Sequence, residues 1–552
     1  MVRLWLKKIT LLSNTPSKTV GAAALIIAVF GIVSRFLGFL RDRVLASQFG
    51  AGDVLDVYYA AFRIPDFVYG LLIAGALSAA FVPICTELLV KKEMKDAWRL
   101  VSGILRLFII FLGGFAFFGI LGASWLIEFL APGFSPEKKE LTILLTRVML
   151  FSPIFLGVSA VFGGVLVSLK QFFVYSLAPL LYNIGIICGA LVLVPWLGPV
   201  GLGWGVVMGA FLHMSIQYPM LRYSGFVYER ETLRDTWRNK AVRRVLLLMI
   251  PRSLSMAVSQ VGLLVMTIFA SLLASGSLAA FTFANNIQSV PLGLFGIAFS
   301  LAVFPALSLF VVEKKEGDFF VMLTKTAQRI LFFVLPISVF MIIFRAQVVR
   351  VFLGAGAFDW EDTIVTFEIL KWLSLSLFAQ SLIPLFARAF FALQNTKTPL
   401  YIALVSEGVH IILIPLLLPT YAVEGLAIAF SVSTILNVVL LYIALRKRVS
   451  VWRDRLMLFP MAKILFATLL AGAVAQMSKS VFALTTNELD TFVEVFLQLS
   501  TGFAIGGATF VFLCHWLKVD ELVMVKRFIF CKILRQPETA RLTEDHPERG
   551  DW

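Results

Sequence analysis

Along the chain, long apolar runs alternate with short polar breaks, and most runs exceed what a soluble helix or strand requires. A bilayer core about 30 Å thick takes roughly 20 apolar residues at 1.5 Å each. Fourteen runs meet that measure, at about 20–45, 56–90, 100–130, 141–169, 172–195, 199–222, 242–274, 278–312, 322–345, 364–393, 399–418, 422–446, 457–478 and 491–516. The second and eighth are long for one pass, which implies tilt or a break. The longest internal polar stretch, Tyr223–Ala241, is too short for an extramembrane domain. The pattern predicts an all-α polytopic membrane protein with 14 transmembrane helices.

Lys and Arg positions orient these spans. With the N-terminus inside, the inner segments hold 33 Lys and Arg and the outer ones 5, namely Lys138, Lys139, Arg345, Arg350 and Lys479. Cytoplasmic loops carry such an excess, and one missed span would scramble it. Both termini are therefore expected in the cytoplasm. Lys7, Lys8 and Lys18 before an apolar run resemble the start of a signal peptide, but the run continues through Leu40 and contains Arg35, so it reads as an uncleaved first span.

Composition agrees. Of 552 residues 59% are hydrophobic and 15% charged, with mean hydropathy +0.91, against roughly 25% charged in soluble proteins. The net charge of +15 is absorbed by the inner loops, so no nucleic-acid partner is expected. Cys85, Cys188 and Cys514 lie in apolar runs and Cys531 in a basic tail, without a C-x-x-C pair; they read as buried thiols. His213, His410, His515 and His546 are scattered, and no metal or cofactor is expected. The chain has no G-x-x-x-x-G-K-[ST], H-E-x-x-H or G-x-S-x-G motif. It reads as a non-enzyme.

A short pattern recurs. Ala76-Leu-Ser78-Ala-Ala80-Phe-Val-Pro83 in the second run and Ala298-Phe-Ser300-Leu-Ala302-Val-Phe-Pro305 in the eighth both read A-x-S-x-A-x-x-P. Six spans separate them, so both copies cross in the same direction. This predicts a cytoplasmic N-terminus (1–19), an N-lobe (20–222), a cytoplasmic linker (223–241) and a C-lobe (242–446). The two six-helix lobes would be related by a pseudo-two-fold along the membrane normal, with two extra helices (447–516) and a basic, partly disordered cytoplasmic tail (517–552). Parallel repeats of this kind enclose a central site and rock against each other in transporters.

An ionisable residue at the bilayer centre costs roughly 2.5–3.5 kcal/mol on insertion scales and marks a partner or a wet cavity. The first span places Gly31, Arg35, Gly38 and Asp42 on one face, with Arg41 and Arg43 near its outer end; the second places Asp56, Tyr59, Arg63, Asp66 and Gly70 on one face around Pro65. Either Arg63–Asp66 and Arg35–Asp42 close on themselves, or the surplus of four arginines over three acids faces an anion. Arginine's planar fork suits phosphate oxygens and keeps its charge. The candidate binding residues are Arg35, Arg41, Arg63, Asp56 and Asp66, with Asn285 and Asn286 from the eighth span lining a cavity or joining helices. Glu407 and His410, at i and i+3, form a candidate proton relay or an interhelical contact.

Gly31-Ile-Val-Ser-Arg35-Phe-Leu-Gly38-Phe-Leu-Arg41-Asp42 resembles the opening signature of the MurJ/MviN-type lipid II flippases. So do Phe49-Gly-Ala-Gly52, Asp56, Ala61-Phe-Arg63-Ile-Pro65 and Ala80-Phe-Val-Pro83. Pro251 with Val258-Ser-Gln260 and Gln394-Asn-Thr-Lys397-Thr-Pro399 are also similar. The family belongs to the multidrug/oligosaccharidyl-lipid/polysaccharide exporter superfamily. The resemblance implies fourteen helices, two lobes and a central cationic cavity in the bacterial inner membrane, serving peptidoglycan and cell-wall biosynthesis and cell shape. It matches Arg35, Arg41 and Arg63 to basic cavity positions and Asp56 to an acidic one. The chain departs from the family pattern at Asp66 (commonly Asn), Tyr69 (Arg), Ala74 (Glu), Asn286 (Arg) and Ser289 (Glu), which bears on the headgroup.

The expected function is translocation of an undecaprenyl-diphosphate-linked precursor, lipid II, to the outer leaflet. The expected partners are that lipid, the bacterial plasma membrane and other cell-wall synthesis proteins. The rivals are a flippase for another lipid-linked oligosaccharide, a drug/cation antiporter and a non-transporting scaffold.

Overall fold

The computed structural model describes residues 20–72, 77–485 and 491–523, and every regular element among them is a helix. The side chains of 20–25, 72, 78–79, 251–252, 254–255, 259 and 485 fall outside that description. So do the expected N-terminal segment 1–19, most of the basic tail with Cys531, and Ala76 and Ala74.

Apolar runs become helices because hydrocarbon offers the backbone no water to bond. In chain order they are α1 (Val20–Phe49), α2 (Asp53–Leu72), α3 (Ser78–Val90), α4 (Met94–Leu130), α5 (Pro136–Met149), α6 (Ser152–Ser168), α7 (Phe172–Cys188), α8 (Val194–Leu197), α9 (Val200–Ser215), α10 (Tyr218–Tyr223) and α11 (Leu233–Arg238). These are followed by α12 (Lys240–Ser271), α13 (Ser277–Pro291), α14 (Ala298–Val312), α15 (Glu316–Ile343), α16 (Arg345–Leu353), α17 (Trp360–Leu375), α18 (Leu377–Ala392), α19 (Lys397–Arg448), α20 (Asp454–Thr485) and α21 (Phe492–Trp516). Each of the fourteen expected segments falls on helix. By length and apolarity alone, nine helical segments among the described residues could each cross a membrane, or ten if α17 and α18 form one broken span. The eleventh and twelfth segments run together as α19, interrupted at Ala422, where φ is 44°. π-helical turns at Gly189–Leu193 and Leu292–Ile297 interrupt the fifth and eighth.

The helices pack as two compact units, residues 1–290, 345–376 and 397–437 in the first, the remainder in the second. This division cuts across the expected lobes, which return below as part of the proposed mechanism.

In the first unit α7 and α9 cross on glycines spaced four apart, Gly185 and Gly189 against Gly205 and Gly209. A Cβ on Gly189 would lie 2.5 Å from the Gly205 Cα. Small residues at such spacing let backbones approach where no hydrophobic effect drives helices together. The linker after α10 is bound to α4: the Arg106 guanidinium donates to Thr236 Oγ1 (2.5 Å) and the Glu229 carbonyl (3.1 Å), while Ser102 Oγ accepts from the Glu229 N–H (2.9 Å).

In the second unit α20 packs between α15 and α21 and carries a lysine near each end. Lys479 Nζ donates to the Ile343 carbonyl at the end of α15 (2.9 Å), and Lys463 Nζ to the Leu517 carbonyl after α21 (3.1 Å). Each satisfies a helix-terminal carbonyl that lacks an intrahelical partner.

Gly189→Val should overpack the α7–α9 crossing at a cost of about 1–3 kcal/mol. The expected readout is a lowered melting temperature of the detergent-purified protein, with Gly113→Val, at a site open around its Cα, as the unaffected control.

Candidate functional site

Helices α1, α2, α6, α7, α9, α12 and α13 of the first unit surround a cavity of about 480 Å³. Its volume falls within the range of small-molecule sites. Arg41, Arg63, Asp66, Asn285 and Asn286 all line it, together with Tyr58, Tyr59, Tyr69 and Tyr182. Five of the expected site residues are therefore gathered from three helices.

Each guanidinium is held differently. Arg41 directs Nε (2.9 Å) and Nη2 (2.8 Å) at Asp42 Oδ1, while Nη1 donates to Asn183 Oδ1 (3.2 Å). The second Asp42 oxygen accepts from Asn286 Nδ2 (2.9 Å), which ties α1 to α13. Asn183 is itself oriented by donating Nδ2 to the Pro179 carbonyl one turn back on the same helix (3.2 Å). Arg63 Nε donates to Thr267 Oγ1 (2.8 Å), and that hydroxyl donates to the Leu263 carbonyl (2.9 Å). No ion pair joins Arg63 to Asp66, and Asp66 has no hydrogen-bond or ion-pair partner among the described residues. The i, i+3 pair does not close on itself.

A second chamber of about 430 Å³ adjoins the first, and Tyr69, Leu156, Pro179 and His213 border both. Arg35 lines this second chamber, exposed, with Nη1 donating to the Val290 carbonyl (2.9 Å). His213 is fixed through Nδ1, 2.6 Å from Ser159 Oγ, and Gln217 Nε2 donates to the same hydroxyl (2.7 Å).

Asp56 lies away from both chambers. It is buried, and its carboxylate accepts the N–H groups of Gly276 (2.7 Å) and Ala279 (3.0 Å) at the start of α13, with Lys138 Nζ 3.8 Å away. A carboxylate at a helix N-terminus satisfies unpaired donors and complements the helix dipole. The same end of the unit carries further ties. Ala51 N–H donates to Asp362 (2.8 Å), Ala357 N–H to the Ser47 carbonyl (2.8 Å), and Arg43 Nη1 to the Val351 carbonyl (2.6 Å). Gly276 and Gly356 turn the chain there at φ of 84° and 56°, where any Cβ would strike the Ala51 or Ser47 carbonyl.

Glu407 and His410 do pair, Oε1 to Nδ1 at 2.9 Å, on α19. The carboxylate lies over Gly262 of α12, the imidazole is buried edge-on to Phe430, and neither lines a chamber. No cluster of three or more His, Cys, Asp or Glu suited to a metal occurs among the described residues.

The sequence placed Asp42 on the charged face of α1, Tyr59 on that of α2 and Tyr69 at a departure from the family pattern, but assigned none of them, nor Asn183, Thr267, Tyr58 or Tyr182, to the site. An amide inside an apolar run is a signal that could have found Asn183. Nothing local distinguishes Thr267.

Asp42→Ala should leave the largely buried Arg41 without its counter-ion, at a cost of roughly 3–5 kcal/mol. Thermal unfolding should show a large drop, with the Arg41→Gln, Asp42→Ala double variant recovering part of it.

A family model described as lipid II flippase MurJ matches residues 45–496 of the chain. A probable lipid II flippase MurJ from Vibrio cholerae is 31% identical over 439 residues, covering 78% of this chain and 83% of that protein. Lipid II flippase MurJ from Burkholderia cenocepacia is 29% identical over 436 residues, covering 77% and 84%. The solved structure of a lipid II flippase MurJ in an inward closed conformation superposes with a TM-score of 0.74 at 25% identity, covering 89% of this chain and 99% of that one. An inward-facing MATE-family multidrug transporter of the MOP superfamily shares the fold, with a TM-score of 0.64 at 17% identity over 75% of this chain and 94% of that one.

Proposed function

Because the chain belongs to the lipid II flippase MurJ family, we propose that it carries an undecaprenyl-diphosphate-linked peptidoglycan precursor, lipid II, from the cytoplasmic to the outer leaflet of the bacterial plasma membrane. The observation that supports this most directly is the single chamber that Arg41 and Arg63 both line. Arg41 uses three of its five N–H groups on Asp42 and Asn183, and Arg63 one of five on Thr267. The remaining donors have no acceptor among the described residues and suit the oxygens of a diphosphate. Arg35, in the adjoining chamber, adds a third guanidinium. Asp66 would limit over-tight binding, and Asn285 and Asn286 would hydrogen-bond sugar or phosphate.

In this reading the chain crosses the membrane fourteen times with both termini cytoplasmic. The lobes 20–222 and 242–446 rock to expose the site to one side and then the other, and the lipid tail rides against the helices of 447–516. No step is chemical, so the protein acts as a transporter, not a catalyst. An inside-negative potential favours outward movement of an anion by about 2.3 kcal/mol per charge per 100 mV.

The deciding experiment is complementation of a strain depleted of its lipid II flippase. The expected result is growth restored by the wild-type chain and lost with Arg41→Ala, while Arg41→Lys lowers flipping at least about tenfold because a point charge cannot reproduce the fork. Failure of the wild-type chain to complement, despite normal membrane insertion, would turn the reading toward another lipid-linked oligosaccharide.

The ties of Asp56 and Asp362 lie at the end that the Lys and Arg bias places outside. Opening outward would break them. Charge-assisted hydrogen bonds are worth about 1.5–3 kcal/mol each, so Asp56→Asn with Asp362→Asn should populate the outward-open state at least about tenfold more. A membrane-impermeant thiol reagent applied from outside should then label Thr282→Cys, on the cavity wall, correspondingly faster.

A further inference from the structure

We infer that the tyrosine-lined wall of the Arg41–Arg63 chamber is a saccharide subsite that seats the sugar ring attached to the diphosphate. The inference rests on the proposed function and adds to it the groups that read the headgroup. Tyr58, Tyr59 and Tyr69 come from α2 and Tyr182 from α7, and all four line the same chamber as the two arginines. The other aromatic rings in the lining are Phe62, Phe281 and His213.

A pyranose has an apolar face of C–H bonds and a rim of hydroxyls. A tyrosine ring has the matching form, a flat electron-rich face with a polar tip. A polyprenyl tail needs no phenols, and aliphatic side chains would serve it as well. A bare diphosphate is met by the guanidinium N–H groups and needs no aromatic wall. The substrate group that uses both ring face and hydroxyl is the sugar one bond from the phosphate.

Two further observations support the assignment. The Tyr59 hydroxyl is buried without a hydrogen-bond partner. Its ring is therefore not pinned by a polar contact, although it meets Tyr58 and Phe283 edge to face, with centroids 5.2 and 6.0 Å away. A sugar hydroxyl would supply the absent partner. Tyr69 borders both chambers alongside His213, so a headgroup too large for one chamber passes this ring. Tyr182, on the first chamber's wall, stands edge-on to His213, 6.4 Å between centroids.

The test compares equilibrium binding of two probes to the full chain in nanodiscs: undecaprenyl diphosphate, and the same lipid carrying the disaccharide-pentapeptide. The wild-type protein should prefer the glycosylated lipid. Tyr69→Leu should reduce that preference about tenfold, whereas Tyr69→Phe, which keeps the ring face and loses the hydroxyl, should reduce it only about threefold. If Tyr69→Leu does not fold, as judged by its elution profile and melting temperature, Tyr182→Leu is read in the same way. An unchanged preference in the Leu variants, or an equal loss in Tyr69→Phe, overturns the saccharide subsite. A wild-type chain that binds neither lipid overturns the functional reading itself, and the inference with it.

Discussion

The structure depends on keeping a guanidinium charged inside a hydrocarbon slab without using up all of its donors. A charge there is costly, and an unpaired one is worse still. Complete pairing would leave nothing for a substrate. Arg41 resolves this with one carboxylate oxygen that receives two of its N–H groups and one amide that receives a third. Asp42 is in turn fixed by Asn286 from another helix, so the pair is oriented from both sides. Arg63 is held more lightly, by a single threonine hydroxyl whose own proton is committed to the backbone. The electrostatic partner and the geometric partners are thus separate groups, and two N–H groups of Arg41 and four of Arg63 have no acceptor among the described residues.

The charge balance follows from where each ion is committed. Of the four arginines and three aspartates in the first two spans, Arg43 bonds to backbone carbonyls and Asp56 caps α13. Removing one ion of each sign leaves Arg35, Arg41 and Arg63 against Asp42 and Asp66. A surplus of one positive charge remains around the chambers, which argues for an anionic cargo and against a cationic one. Had Asp56 faced the chamber, as its place on the face of Arg63 suggested, the surplus would have vanished.

Much of the fold was legible because lipid imposes one rule on every backbone group. Apolar runs of twenty residues have to be helical, so the long helices lie where the runs lie, while the short α11 and α16 fall in the polar stretches between them. The interruptions were less legible. Ala422, with a φ no alanine prefers, and the π-helical turn at Gly189–Leu193 arise from how neighbours pack, which a single run does not encode. Within the site, charges at membrane depth announced Arg41, Arg63 and Asp66, since each is improbable without a function. Asp56 gave the same signal for a different reason, because its partners lie 220 residues away. The tyrosines gave a weaker one: Tyr59 shares the charged face of α2 and Tyr69 departs from the family pattern, but in a chain that is 13% aromatic neither ring stands out until the cavity beside it is known.

At this end of the first unit each of the hydrogen bonds described has a backbone group on at least one side. Gly276 and Gly356 bring the turns close enough for carbonyls and N–H groups to meet directly, and Asp56 and Asp362 add the two carboxylates. Breaking a bond of this kind into water costs only about 1.5–3 kcal/mol net, because each exposed group finds water in place of its partner. A seal made of interdigitated aliphatic side chains would instead expose apolar surface whenever it opened. For a protein that would open and reseal once per lipid, polar backbone contacts at the gate and permanent apolar packing elsewhere, as at the α7–α9 glycines, keep the two states close in free energy. A ligand that binds one of two such states only modestly more tightly would shift the balance between them.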